Sequence, residues 1–293
     1  MSGGTFRLAI AQPRMVPEPN AERNVDRAVD LIARSTANGA ELVLFPEGSP
    51  GPYRASSVYD AGPRLAEAAA TYGIAICWSR VERCDDGRHR LVVYVVDRSG
   101  AQLLRYERAH PATLPASETG GWIAPGDELG AFELEGIRFG VVVCSELWLP
   151  EPARILAVRG AEILLSPAGG RFTTLTSNWQ VIARARAIEN LCYVALTNNL
   201  FADEPGAAMI AGPERVLASS GSEEVITATI DLERVRWLRD RDDSIQEPKP
   251  FSSIPGLLRA RRPELYGELV EPIDDPYDYW QGAASEAEAV RLV

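Results

Sequence analysis

Two residues of this chain stand where covalent chemistry needs a nucleophile and a base. Glu47 follows the apolar run ELVLFP (41–46), and Cys144 closes the apolar run FGVVVC (139–144). A thiol attacks carbon only once it has lost its proton. A carboxylate held in a dry pocket gains proton affinity and can serve as the base. The pair suffices for acyl transfer through a thioester. The competing readings are a solvated loop acid before Gly48 and a core thiol like Cys77. The polar residues Ser145 and Glu146, where the second run stops, favour a cleft for Cys144.

The remaining candidates are few. Cys77 and Cys192 sit inside apolar runs and read as buried, inert thiols, while Cys84 lies beside the turn DDGRHR (85–90). Cys144 is therefore expected to alkylate ahead of Cys77 and Cys192, with Cys84 open to labelling simply through its exposure near the turn. No CxxC pair occurs, and His89 and His110 are the only histidines, so a zinc site is not expected. A Cys144–His110 pair would be an alternative, papain-like arrangement. It lacks supporting sequence around Cys144, and Pro111 interrupts the strand that would carry His110. His110 reads as a hydrogen-bonded structural histidine, and His89 as a turn residue.

Positioning Glu47 and Cys144 requires strands that end on one edge. RLAIAQ (7–12) reads as a buried strand. Val25, Val29, Ile32 and Ala33 then recur at helical spacing, with Asn20 as N-cap and Gly39 closing the helix before the strand 41–46. This is a βαβ unit with parallel strands. A helix over 64–72, strands over 74–81 and 90–97, and further strands in 101–107 and 132–143 follow. The second half repeats the plan, with a strand 139–144, a helix 152–159, a strand 162–167, a helix 176–190 and a strand 191–198. NGAELVLFPEG (38–48) and RGAEILLSPAG (159–169) agree at six of eleven positions. The repeat predicts two pseudo-twofold-related βαβ halves, two packed sheets with helices outside. Functional groups collect at the carboxyl edge of parallel strands, so both candidate residues belong to one crevice.

The composition sets outer bounds. At 293 residues and 46% hydrophobic, the chain can bury a large core, and no low-complexity linker divides it. We expect one domain over 1–293, with a Pro- and charge-rich extension from about 250 to 293 that packs on a partner subunit. The net charge of −11 opposes binding to nucleic acid. No apolar run reaches membrane-spanning length, and the first residues lack a leader pattern, so a soluble cytoplasmic protein is expected.

With these residues in view, the chain resembles the nitrilase (carbon–nitrogen hydrolase) superfamily over nearly its whole length. LVLFPEGSPGPYR (42–54) is similar to the family's general-base motif, VVVCSELWLPEPAR (141–154) to its nucleophile motif, and RARAIENLCYVALTNN (184–199) to the segment that follows. APGDEL (124–129) and RRPELYGEL (261–269) are weaker similarities. The resemblance implies an αββα sandwich, hydrolysis of a nitrile, amide or carbamoyl C–N bond, no cofactor, and a homodimer or larger homo-oligomer. It implies Glu47 as base and Cys144 as nucleophile.

One position departs from the family. Its third catalytic residue is a lysine, and in YERAHP (106–111) Arg108 holds that place; Lys249 is the sole lysine of the chain. Arginine keeps a fixed charge and several donors, so it can stabilise an oxyanion, with altered geometry. A backbone N–H of Ser145 is the second expected oxyanion donor, and Glu118 the candidate for the family's second acid. The leading expectation is an amidase or carbamoyl-amide hydrolase. The alternatives are a nitrilase or acyl-transferring member, and a catalytically altered relative that binds a small amide.

Overall fold

Along β1 (Thr5–Gln12) the side chains alternate between two apolar environments. Phe6, Leu8 and Ile10 enter one core, while Ala9 and Ala11 enter another. A strand buried on both faces reads as a continuous apolar run, and its period of two divides the residues between the layers it separates. The computed structural model describes residues 4–54, 57–112, 123–169, 176–200, 206–240, 249–250, 257–272 and 274.

From β1 the chain passes through α1 (Arg23–Ala37), β2 (Leu42–Leu44) and α2 (Gly62–Tyr72) to β3 (Ala75–Arg83), then through the antiparallel strands β4 (His89–Val96) and β5 (Gln102–Glu107). The second half runs β6 (Ala131–Leu134), β7 (Ile137–Val141), α3 (Pro150–Val158), β8 (Ile163–Ala168), α4 (Thr176–Asn190), β9 (Tyr193–Asn198), β10 (Ala208–Ala211) and β11 (Val216–Ser220). β12 (Glu224–Asp231) then returns to pair antiparallel with β1, and α5 (Leu232–Arg239) follows.

The two sheets have orders β12-β1-β2-β3-β4-β5 and β11-β10-β9-β8-β7-β6. In each, three central strands are parallel, β1-β2-β3 in one and β7-β8-β9 in the other. Antiparallel strands flank both trios, so β12 corresponds to β6, and β4-β5 to β10-β11. This is the expected αββα sandwich with two related halves. Leu8, Leu42, Val93, Phe139, Ile163 and Val194 fill the space between the sheets. Ala28, Ile32, Leu65 and Ala69 cover the outer face of the first sheet from α1 and α2. Trp179, Ala183 and Ala187 are buried along one stripe of α4, at the i, i+4 spacing a helix needs to face a sheet.

Local differences from the sequence reading have physical causes. Glu22 holds the N-cap position of α1 in place of Asn20, whose carbonyl instead accepts from Arg23 N–H at 3.0 Å in a preceding turn. β2 is only three residues long and β7 stops at Val141, so Glu47 and Cys144 lie just beyond their strands. His89 opens β4 and bridges to Ile123. β10, β11, β12 and α5 have no counterpart in that reading. Asp231 was a legible signal for α5, since its side chain caps the helix by accepting from Arg234 N–H at 2.8 Å. Most of the extension from 250 lies outside the described residues; within it Leu265, Leu269 and Val270 are exposed.

Candidate active site

β5 is antiparallel to β4, and β4 to β3, so β5 runs in the direction of β1–β3. The segments after β2 and β5 therefore emerge on one edge of the first sheet. Glu47 lies on one and Arg108 on the other. Arg108 Nη1 donates to Glu47 Oε1 at 2.6 Å, and both side chains are almost entirely buried.

The second sheet holds this carboxylate in place. Glu47 N–H donates to Ala168 O at 3.1 Å, at the end of β8, and Asn199 Nδ2 donates to Glu47 O at 2.7 Å, just past β9. Gly169 follows Ala168, and an added Cβ there would lie 3.0 Å from Glu47 Oε2. Only glycine lets the two chains approach this closely without displacing the carboxylate.

Cys144 begins a 3-10 turn, Cys144–Trp148, which the sequence reading did not anticipate. Its φ of 50° is left-handed, a region that a residue with a side chain occupies at a cost of about 1–3 kcal/mol. The sharp turn directs Sγ toward Gly169 O, at 3.7 Å, and brings it into hydrogen-bonding interaction with Glu47. Burial and then the Glu47 charge push the thiol up to about 12, against the opposing influence of Arg108. The resting sulfur is protonated at neutral pH and needs a base. At 7% exposure Cys144 is less open than half-buried Cys84. Cys77 and Cys192 are fully buried.

Ser145 joins the group through its side chain, its Oγ accepting from Arg108 Nη2 at 2.5 Å. One planar guanidinium thus spans the acid and the turn that carries the thiol. Burial works against the charge of Arg108, but Glu47, Cys144 and Glu146 outweigh it and hold the group as a cation. Arg108 Nε is buried with no hydrogen-bond partner among the described residues. Glu118 lies outside the described residues.

Sequence reasoning missed the residues that brace the site. Glu146 is fully buried and collects donors from Tyr106, His110 and Val143. His110 Nδ1 is 3.4 Å from Glu146 Oε1, which makes His110 a partner of this carboxylate. Arg186 donates from Nε to Leu147 O and from Nη2 to Trp148 O, each at 3.0 Å, and so closes the far end of the 3-10 turn. The placement of Glu146 two residues after Cys144, and of Tyr106 two before Arg108, was the available signal.

Beside Glu47 and Arg108 lies a narrow crevice lined also by Tyr53, Val81, Leu91, Pro111, Ala112 and Ile123. It joins an apolar wall to two charged groups. Among the described residues no cluster of three or more His, Cys, Asp or Glu side chains could hold a metal ion, and no helix is long and apolar enough to cross a membrane.

Comparison with known proteins places this architecture. The carbon–nitrogen hydrolase family profile matches residues 7–240. An omega-amidase of Xenopus tropicalis is 29% identical over 283 residues, spanning 89% of this chain and 96% of the relative. A carbon–nitrogen hydrolase from Helicobacter pylori G27 superposes with a TM-score of 0.77 at 22% identity, covering 91% of this chain and 99% of that one. An amidase from Nesterenkonia sp. superposes with a TM-score of 0.74 at 23% identity, covering 92% and 98%.

Proposed function

The chain belongs to the carbon–nitrogen hydrolase family, and from that premise we propose that it is an amidase, cleaving the C–N bond of a small amide through a thioester on Cys144. Glu47 is the general base, and Arg108, in the place of the family's lysine, stabilises the oxyanion. The observation that carries this reading is the buried convergence of the Cys144 thiol, the Glu47 carboxylate and the Arg108 guanidinium at one sheet edge. The omega-amidase relatives favour an amide over a nitrile.

The chemistry follows from the geometry. Glu47 takes the Sγ proton as sulfur bonds to the carbonyl carbon, and the C=O electron pair moves onto oxygen. Arg108 and the Ser145 N–H stabilise that oxyanion. The unpartnered Nε–H leaves the guanidinium donor capacity beyond its bonds to Glu47 and Ser145. When the oxyanion collapses, the C–N bond breaks and Glu47 returns its proton to the departing ammonia or amine. The same carboxylate then takes a proton from water as it attacks the thioester, releasing the acid and restoring the thiol. Glu118 serves as the second acid. The mainly apolar lining beside Glu47 and Arg108 favours a small acyl group.

The whole chain, 1–293, acts as one catalytic domain and pairs as a homodimer. Trp148, Leu149, Ile155, Val158 and Val181 expose apolar surface on the 3-10 turn, α3 and α4, and this face supports twofold pairing. The C-terminal extension packs on the partner.

A panel of small amides, carbamoyl amines and nitriles scored by ammonia release tests the reading. Release from amides by the wild type, abolished in a folded Cys144→Ala variant, is expected. Release by Cys144→Ala at the wild-type rate would remove the thioester.

A further inference from the structure

Two short segments carry the reactive groups, and they come from opposite sheets. Residues 106–110 follow β5 and hold Arg108, while 143–146 follow β7 and hold Cys144 and Ser145. Their shared anchor is a single carboxylate, itself wholly buried. Tyr106 Oη donates to Glu146 at 2.9 Å from Oε1 and 3.1 Å from Oε2. His110 N–H donates to Oε1 at 2.9 Å, and Val143 N–H donates to Oε2 at 2.7 Å. Tyr106 Oη also accepts from Ala109 N–H at 3.2 Å, which folds the Arg108 segment back on itself. Donors thus reach Glu146 from both sides of Arg108 and from the residue directly before Cys144.

Resting on the thioester reading above, we propose that Glu146 is a positioning residue for the reaction: its carboxylate clamps the Arg108 segment to the Cys144 turn and so fixes the distance between oxyanion cation and nucleophile. Three features make it more than a buried ion satisfied by its neighbours. Its acceptor atoms divide the work, Oε2 taking the backbone of the thiol's turn and Oε1 the backbone of the arginine's loop. Cys144 sits in a left-handed conformation that surrounding contacts must enforce, and Val143 N–H is the contact immediately before it. A carboxylate is also the only side chain of this size that accepts from all these donors without offering one of its own. Charged acceptors make the stronger hydrogen bonds, and misplacement of reacting groups by about 1 Å costs on the order of 100-fold in rate.

The test uses the full chain with Glu146→Gln, Tyr106→Phe and both together, each checked for folding by thermal melting. The substrate is the best small amide of the panel, and kcat and KM are read separately. In Glu146→Gln we expect kcat to fall by about 10- to 100-fold with KM nearly unchanged. The double variant should be no slower than Glu146→Gln alone, because Tyr106 acts through the same carboxylate. A wild-type kcat in a folded Glu146→Gln, or additive losses in the double variant, would overturn the proposal. If Glu146→Gln does not fold, Tyr106→Phe decides alone: a lower kcat at constant KM supports the clamp and an unchanged kcat overturns it.

A second readout needs no turnover and separates the clamp from the thioester reading. Iodoacetamide labelling is followed by mass mapping, with the core thiols Cys77 and Cys192 as references in the same molecule. A released turn should expose Cys144 selectively, so its labelling in Glu146→Gln, or in Tyr106→Phe where that variant alone folds, should rise while the references stay protected. A parallel rise at all three sites means general loosening and sinks the proposal, as does an unchanged rate at Cys144. Failure of the thioester reading alone would appear as turnover that survives Cys144→Ala while the selective labelling remains.

Discussion

Arg108 and Glu47 form a buried ion pair with Nη1 2.6 Å from Oε1, and the other terminal nitrogen of the same guanidinium meets Ser145 Oγ. A lysine carries one nitrogen and cannot hold both partners in this fork. In Arg108→Lys we therefore expect kcat for ammonia release to fall by about tenfold with KM little changed, as for loss of part of a transition-state contact. Arg108→Ala should lose on the order of 100- to 1,000-fold. A wild-type rate in Arg108→Ala would remove the arginine from the mechanism.

The thiols should label in an order set by exposure. Cys84 is half-buried, Cys144 nearly closed off with its thiol pushed up to about 12, and Cys77 and Cys192 wholly inside. Mass mapping over time at pH 7 should find Cys84 first, then Cys144, with the other two protected until the chain unfolds. Because the thiol is the dominant form of Cys144 up to that value, its labelling rate should keep rising through pH 9. A plateau below pH 8 would show a thiolate already present at rest.

Glu146 ties stability to acid. Burial pushes its carboxyl up, but His110, the Arg108 charge and the Val143 N–H together outweigh burial and hold it below the ordinary glutamate range. A carboxyl whose folded value is depressed stabilises the protein above its unfolded value, near about 4.3, and loses that contribution as pH falls through the folded value. The wild type should therefore exceed Glu146→Gln by about 1–3 kcal/mol at neutral pH, with the gap closing below about pH 4. Thermal or urea unfolding from pH 3 to 7 measures it. A gap independent of pH would mean that the charge plays no part.

Gly169 gives a steric test. In Gly169→Ala the new methyl would meet Glu47 Oε2 at 3.0 Å and its Cβ at 3.2 Å. The carboxylate must shift by a few tenths of an ångström, and we expect about a tenfold lower kcat in a protein that still folds. An unchanged kcat would show that the base tolerates displacement.

Assembly is tested on the exposed apolar face. Val181 is 65% exposed on α4 and belongs, with Ile155 and Val158 of α3, to the proposed interface. Light scattering at micromolar concentration should give twice the chain mass for the wild type and the single-chain mass for Val181→Asp. A monomeric wild type would refute the pairing.

What could be read from residues alone was local. Apolar runs ending at Pro46 and Val143 located Glu47 and Cys144 at the carboxyl edge, because strand ends follow from where hydrophobic continuity stops. The repeat at 38–48 and 159–169 foretold two related halves. The bracing escaped notice because its partners are distant in the chain. Glu146 meets Tyr106 forty residues away, and Asn199 reaches Glu47 across 152. The left-handed backbone of Cys144 left no compositional mark, since glycine usually announces that conformation. β12 pairs with β1 across more than two hundred residues, Thr5 opposite Asp231, and no local pattern specifies such a register.

That last strand has a consequence for how the two halves relate. β12 is made after the entire second sheet, yet it completes the first by lying along β1. A break in the connection between β5 and β6 would leave the amino-terminal fragment with Glu47, Arg108 and a bare edge on β1. The other fragment would hold Cys144 and the missing strand. Neither piece would hold a complete site, despite the internal symmetry. Recombining them would rebuild the sheet and the thiol–carboxylate contact in one event, so recovered turnover would report fragment complementation directly.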